Sequence, residues 1–230
     1  MKDLNLVMTM TASKTIIHTD GRERTWLMTI PDILNPEQYL NLKDHLQTLE
    51  YLKGFTNSGN EVPREQLWFH KDNSYFCDSW VARYPRWDAH PYTDIIIEVQ
   101  DLVQSIVNDL THGFKIPTIN SCLVNYYKNG DSCIQPHRDN KKSFGDRPTI
   151  VGLSIGTTRV LKLHHNSKTV HYDVPLEDNS LFIMAGGSQL NFLHEIPVEP
   201  ECKEERWSLT FREHRGEVPS PLTPGDLRSP

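Results

Sequence analysis

Cysteine is scarce. Cys77, Cys122, Cys133 and Cys202 are the only four in 230 residues, and no two form a Cys-x-x-Cys pair. That excludes a disulfide scaffold, a zinc ribbon and a thioredoxin-type motif. Long apolar runs are also missing: a membrane span needs about 20 consecutive apolar residues, and no stretch approaches that. Met1 to Met10 has neither a basic start nor an apolar run, so no secretory leader is expected. Positive charge is not in excess. The 24 Lys and Arg face 30 Asp and Glu, a net charge of −6, which excludes a protein that holds nucleic acid by bulk cationic charge. No internal repeat occurs. With 37% hydrophobic and 23% charged residues, the chain reads as globular, intracellular (cytoplasmic or nuclear), reduced, without a membrane partner and monomeric.

What is present is patterned. Thr15 to Ile17 and Thr25 to Ile30 read as strands around the turn signal Asp20-Gly21. Asn35-Pro36-Glu37-Gln38 offers a helix cap, after which Tyr39, Leu42, Leu46 and Leu49 form one apolar stripe. A second helix runs from about Thr93 to Thr111, with Ile96, Val99, Val103, Ile106 and Leu110 as its seam and Gly113 as its stop. Beyond it the pattern turns to short β-rich runs: Ser121 to Tyr127, Thr149 to Ile155, Thr158 to Leu163, Val170 to Leu176, Ser180 to Met184 and Trp207 to Arg212. Early helices and late strands predict an α+β chain with a sandwich or barrel in its second half.

The candidate chemistry lies among those strands. In extended backbone, residues two apart share a side, so His137 and Asp139 can address one metal ion, and His194 supplies a third ligand. Two histidines and one carboxylate form the facial set that suits Fe(II) and leaves positions open. On the strand from Arg206 to Arg212, Trp207, Leu209 and Phe211 share one face; Arg206, Ser208, Thr210 and Arg212 share the other. Two readings stay open here. The strand lies at an edge with a solvated polar face, or its arginines bind a dicarboxylate in a pocket. Asn125 and Tyr127, on one face of the strand leading to His137, suit the second reading.

These motifs in this order resemble the AlkB family of 2-oxoglutarate- and Fe(II)-dependent dioxygenases. The matching features are Pro63-Arg64 with aromatics following, Asn125-x-Tyr127, His137-x-Asp139, His194 followed by Pro197, and Arg206-x-Ser208-x-Thr210-x-Arg212. The resemblance implies a double-stranded β-helix, a jelly-roll core with the N-terminal helices packed outside. It implies a dioxygenase domain over 31–214 with a nucleotide-recognition lid around 60–90, which leaves an extension over residues 1–30, partly strand by its pattern, and a tail over 215–230 whose prolines and glycines predict disorder. It implies Fe(II) on His137, Asp139 and His194, with O2 and 2-oxoglutarate as cosubstrates. The distal carboxylate of 2-oxoglutarate falls to Arg206, helped by Tyr127 and Ser208, and the iron-side carboxylate lies near Asn125 and Arg212. The implied activity is oxidative demethylation of N-methylated bases in DNA or RNA, releasing formaldehyde, succinate and CO2. The alternatives are a same-fold oxygenase acting on a protein or small molecule, and a nucleic-acid-binding module without turnover.

Such enzymes extrude the target base and stack it on aromatics. The matching lid is Gln66 to Trp80, with Trp68, Phe69, His70, Tyr75, Phe76 and Trp80; Tyr75 or Phe76 is the expected stacking partner, and Trp68 and Phe69 are expected in the core. Ser208 stands where the family pattern has Asn, Phe192 where Trp is common, and Lys141 where an acidic residue is frequent. Between Lys128 and Lys168, eight basic residues face three aspartates, and between Asp173 and Glu205 eight acids face Lys203 alone. Arg138 and Lys141 therefore lie in a locally positive block suited to a phosphate backbone.

Overall fold

Local capping explains where the two long helices begin. In the computed structural model, which describes residues 14–55, 59–77, 85–110 and 113–216, helix α1 spans Pro36–Thr48. Asn35 Oδ1 accepts the Gln38 amide at 2.9 Å and Gln38 Oε1 accepts the Asn35 amide at 3.1 Å, a reciprocal capping box. Helix α2 spans Asp94–Asn108 behind the cap of Thr93. The expected lid residue Trp80 and the expected tail beyond Gly216 lie outside the described residues, as do most of the first fourteen.

Among the described residues, twelve strands follow one another as β1 (Lys14–Asp20), β2 (Glu23–Ile30), β3 (Leu52–Phe55), β4 (Glu61–His70), β5 (Ser121–Tyr127), β6 (Ile134–His137), β7 (Ile150–Gly156), β8 (Arg159–His165), β9 (His171–Leu176), β10 (Ser180–Gly186), β11 (Phe192–Ile196) and β12 (Arg206–Arg212). Two one-turn helices, α3 (Lys141–Phe144) and α4 (Ser188–Asn191), interrupt them. The strands form an eight-stranded sheet in the order β1-β2-β10-β7-β12-β5-β4-β3 and a four-stranded sheet in the order β6-β11-β8-β9. Every paired strand runs antiparallel, as in a jelly roll.

The strand period sorts side chains into two cores. Cys122, Val124, Leu153, Trp207, Leu209 and Phe211 from one face of the large sheet join Leu42 and Leu46 of α1 and Ile96, Val99 and Val103 of α2. Leu27, Ile150, Phe182 and Met184 from the opposite face join Leu161, Leu163, Val174 and Ile196 of the small sheet. Each such side chain, once buried, contributes about 1.5–3 kcal/mol.

The structure differs from the sequence reading in two places. Within the expected extension, residues 14–30 are part of the domain, because β2 is an interior strand between β1 and β10 with Leu27, Met28 and Ile30 buried. Its partner β10 lies some 150 residues away, which a local pattern does not reveal. The first part of the expected lid is β4, paired with β5 from Glu65↔Tyr126 to His70↔Ser121. Trp68 and Phe69 are buried there as expected, with Leu67, and a strand covered on both faces loses its alternation. Of the two readings left open for β12, the edge strand falls, since β12 pairs with β5 on one side and β7 on the other.

Candidate active site

Strand pairing brings the two histidines together. In the β6–β11 ladder His194 stands opposite His137, and their ring centroids are 4.2 Å apart. Asp139 follows two residues beyond His137, so its carboxylate turns to the same side. Asp139 Oδ1 lies 3.9 Å from His137 Nε2 and 3.8 Å from His194 Nε2. One ligand atom from each residue fits within 4.8 Å of the other two, and this is the one such group of three among the described residues.

The electrostatics suit a cation. Burial, and then the neighbouring His137, pull His194 down to about 3, and burial lowers His137 as well, so both imidazoles are neutral. Burial alone would raise Asp139, but the Arg212 guanidinium keeps its carboxyl below the usual range. The His137 Nδ1–H donates to the Gln135 carbonyl at 2.9 Å, which leaves the Nε2 lone pair for a ligand. Two imidazole lone pairs and a carboxylate converging on one point are mutually unfavourable until a divalent ion sits there. The donor set matches Fe(II).

The same point opens into a cavity of about 590 Å³ lined by both sheets. Asn125, Tyr127, Arg206, Ser208 and Arg212 all line it, as do Phe76, Arg138 and Lys141. Arg206 is 1% exposed. Its Nη2 donates to Ser154 Oγ at 2.9 Å and its guanidinium lies 5.2 Å from the centre of the Tyr127 ring. Its Nε and Nη1 have no hydrogen-bond partner among the described residues. A buried guanidinium with two idle donors is costly, and burial lowers its pKa accordingly. Nη1, idle at the end of the guanidinium, can donate to one oxygen of an anion such as a carboxylate.

Arg212 plays a different part. Its Nε donates to Asp139 Oδ2 at 2.5 Å, joining the large sheet to the turn after β6 and leaving Asp139 Oδ1 to face the histidines. Asn125 Oδ1 accepts from Arg64 Nε at 3.0 Å and from Gln66 Nε2 at 2.8 Å, so its carbonyl is already engaged. Register aligns Ser208 with Asn125 and Ser154 on its flanking strands.

Around the mouth, Phe76 stacks on Trp87 with centroids 4.3 Å apart and planes at 26°. Tyr75 is not in the wall; it packs against the cluster of Trp68, Phe76 and Phe144. Arg138 lines the cavity but donates to Asn166 Oδ1. Lys141 and Lys142 line the rim on α3. The sequence reading assigned no site role to Arg64, Gln66, Trp87, Ser154 or Gln189. Arg64 and Gln66 stand two apart, and Ser154 is a lone polar residue in an apolar strand; those were the available signals. Gln189 had none.

A family model described as "2OG-Fe(II) oxygenase superfamily" matches residues 27–212. The chain is 33% identical over 104 residues to the alpha-ketoglutarate-dependent dioxygenase alkB homolog 3 of Rattus norvegicus, covering 41% of this chain and 35% of that protein. It is 24% identical over 161 residues to the DNA oxidative demethylase ALKBH2 of Homo sapiens, covering 66% of this chain and 57% of that protein. The chain thus spans roughly a third to somewhat over half of these relatives. Among solved structures, that of OsALKBH1 is similar in fold, with a TM-score of 0.57 at 16% identity, covering 81% of this chain and 97% of that one. Among the described residues no helix is long and apolar enough to cross a membrane. The matched family implies Fe(II), 2-oxoglutarate and O2, and the His-Asp-His group and the idle Arg206 donors fit an iron ion and a carboxylate. The chain belongs to the 2OG-Fe(II) oxygenase superfamily and, within it, is AlkB-like.

Proposed function

We propose that this chain is an oxidative demethylase of N-methylated bases in DNA or RNA, with Fe(II) on His137, Asp139 and His194. The observation that carries the reading is the convergence of those three ligands in a cavity whose wall also holds Arg206 with two unpartnered nitrogens. Bound Fe(II), 2-oxoglutarate and O2 supply the oxidation that turns an N-methyl group into formaldehyde, with succinate and CO2 as coproducts.

The residues supply binding and order. Arg206 offers its fork to the distal carboxylate, with Tyr127 and Ser208 beside it. Asn125 has its amide nitrogen to offer, because its carbonyl is held by Arg64 and Gln66. Arg212 holds the second oxygen of Asp139 and so fixes which oxygen faces the metal. Ile134, Leu161 and Met184 in the wall exclude water from the reacting centre. Phe76 and Trp87, stacked on each other and both lining the cavity, are the aromatic contacts for a base drawn out of its stack, and Lys141 sits on the rim where a phosphate backbone passes.

The test is incubation of the purified chain with Fe(II), ascorbate, 2-oxoglutarate and methylated oligonucleotides. Formaldehyde and unmethylated base are expected in step with succinate. Succinate without demethylation would move the substrate to a protein or small molecule, and absence of both 2-oxoglutarate binding and turnover would overturn the enzyme reading.

A further inference from the structure

Two side chains that are not ligands tie the carriers of Asp139 and His194 together. The carboxylate ligand lies in a turn beyond the end of β6, where no strand ladder holds it. Its backbone N–H donates to Gln189 Oε1 at 2.8 Å. Gln189 is 6% exposed and lies on α4, the single turn that runs into β11 and His194. Gly186, at φ +66°, sets that turn: a side chain there would meet the Arg24 carbonyl at 2.1 Å. A second tie runs in parallel. Arg138, between the ligands His137 and Asp139, donates to Asn166 Oδ1. Asn166 Nδ2 in turn donates to the Leu190 carbonyl at 2.8 Å, and its backbone N–H donates to the Asn191 carbonyl at 2.9 Å.

We infer that Gln189 and Asn166 are positioning residues that clamp the His137–Asp139 turn to the segment carrying His194 and so set the metal affinity of the site. The inference rests on the metal reading given above. His137 and His194 are placed by their ladder, and the Asp139 carboxylate is aimed by Arg212. The remaining freedom is translation of the Asp139 backbone, which the Gln189 acceptor removes. Without it the turn either buries an unpaired N–H or shifts to find water. Outer partners of this kind change metal affinity about 10- to 100-fold.

The test titrates Co(II) into the metal-free full chain without O2, reading affinity by calorimetry and geometry by the visible absorption of the bound ion. Gln189→Met keeps the length and volume but removes the acceptor. It is expected to weaken Co(II) binding about 10- to 100-fold and to alter the spectrum. Gln189→Glu keeps an acceptor oxygen at the same reach and is expected to stay within a few-fold of the parent. Asn166→Ala, at an exposed position, is expected to lose several-fold and carries the test alone if Gln189→Met does not fold. Parental affinity and spectrum in both Gln189→Met and Asn166→Ala would overturn the clamp. No Co(II) uptake by the parent would overturn the metal reading instead, and the clamp with it.

Discussion

The two faces of β12 differ in chemistry, and its two arginines are nearly as buried as its apolar residues. One face sends Trp207, Leu209 and Phe211 into the core shared with α1 and α2. The other sends Arg206, Ser208, Thr210 and Arg212 into the cavity, with Arg206 as buried as Leu209. Leu209 and Phe211 on the first face are satisfied in the free chain, because apolar groups need only other apolar groups. The second face is not, because two Arg206 nitrogens find no partner. One strand thus contributes stability on one side and holds unspent binding capacity on the other.

The largest expected effect isolates the cavity side. His137→Ala should reduce succinate and formaldehyde release to background in the turnover assay while the circular dichroism spectrum of the free chain stays unchanged. Retained iron-dependent turnover would remove His137 from the ligand set. Arg206→Met tests the contrast directly, because its two effects have opposite signs. Affinity for 2-oxoglutarate, read by calorimetry, should fall at least about 30-fold, since truncating one side of a buried charged contact costs about 2–5 kcal/mol. The unfolding free energy of the free chain should rise by on the order of 1 kcal/mol, as an unpaired buried charge is removed. Leu209→Ala is the mirror experiment. It should lower stability in urea by about 3 kcal/mol and leave 2-oxoglutarate affinity of the folded fraction unchanged.

The smallest effect concerns acid stability beyond this strand. Burial, and then His214, hold His70 below its ordinary 6.5. Its Nδ1 accepts the Asp72 amide at 3.0 Å and the Ser74 amide at 3.3 Å. The unfolded chain takes up the proton first, so this contribution is complete above pH 6.5 and is lost as pH falls below it. Unfolding midpoints measured between pH 7.5 and 5.5 should fall for the parent and fall less for His70→Gln.

Much of this was legible in local pattern. The alternation along Arg206 to Arg212 placed each side chain on its face, and Asn35 and Thr93 marked both helix starts. What escaped had a physical reason in each case. Strand β4 is covered on both faces, so Leu67, Trp68 and Phe69 lack the alternation that marks a strand, and only the core position of Trp68 and Phe69 was legible. Strands β6 and β11 are four and five residues long, and β6 contains Pro136, a ladder breaker. Arg64 and Gln189 matter through single hydrogen bonds to residues 61 and 50 positions away.

By itself the sequence determined which residues can share a face, where the helices begin, and which side chains could hold a metal and an anion. Those properties depend on neighbours a few residues apart, within the periods of strand and helix. Only the tertiary structure decided that β12 lies inside the sheet, that Arg206 is left with idle donors, that Arg212 is spent on Asp139, and that Gln189 holds the ligand turn. Each of these depends on which strands pair across the fold, and pairing is settled by burial summed over the whole chain rather than by any segment's own pattern.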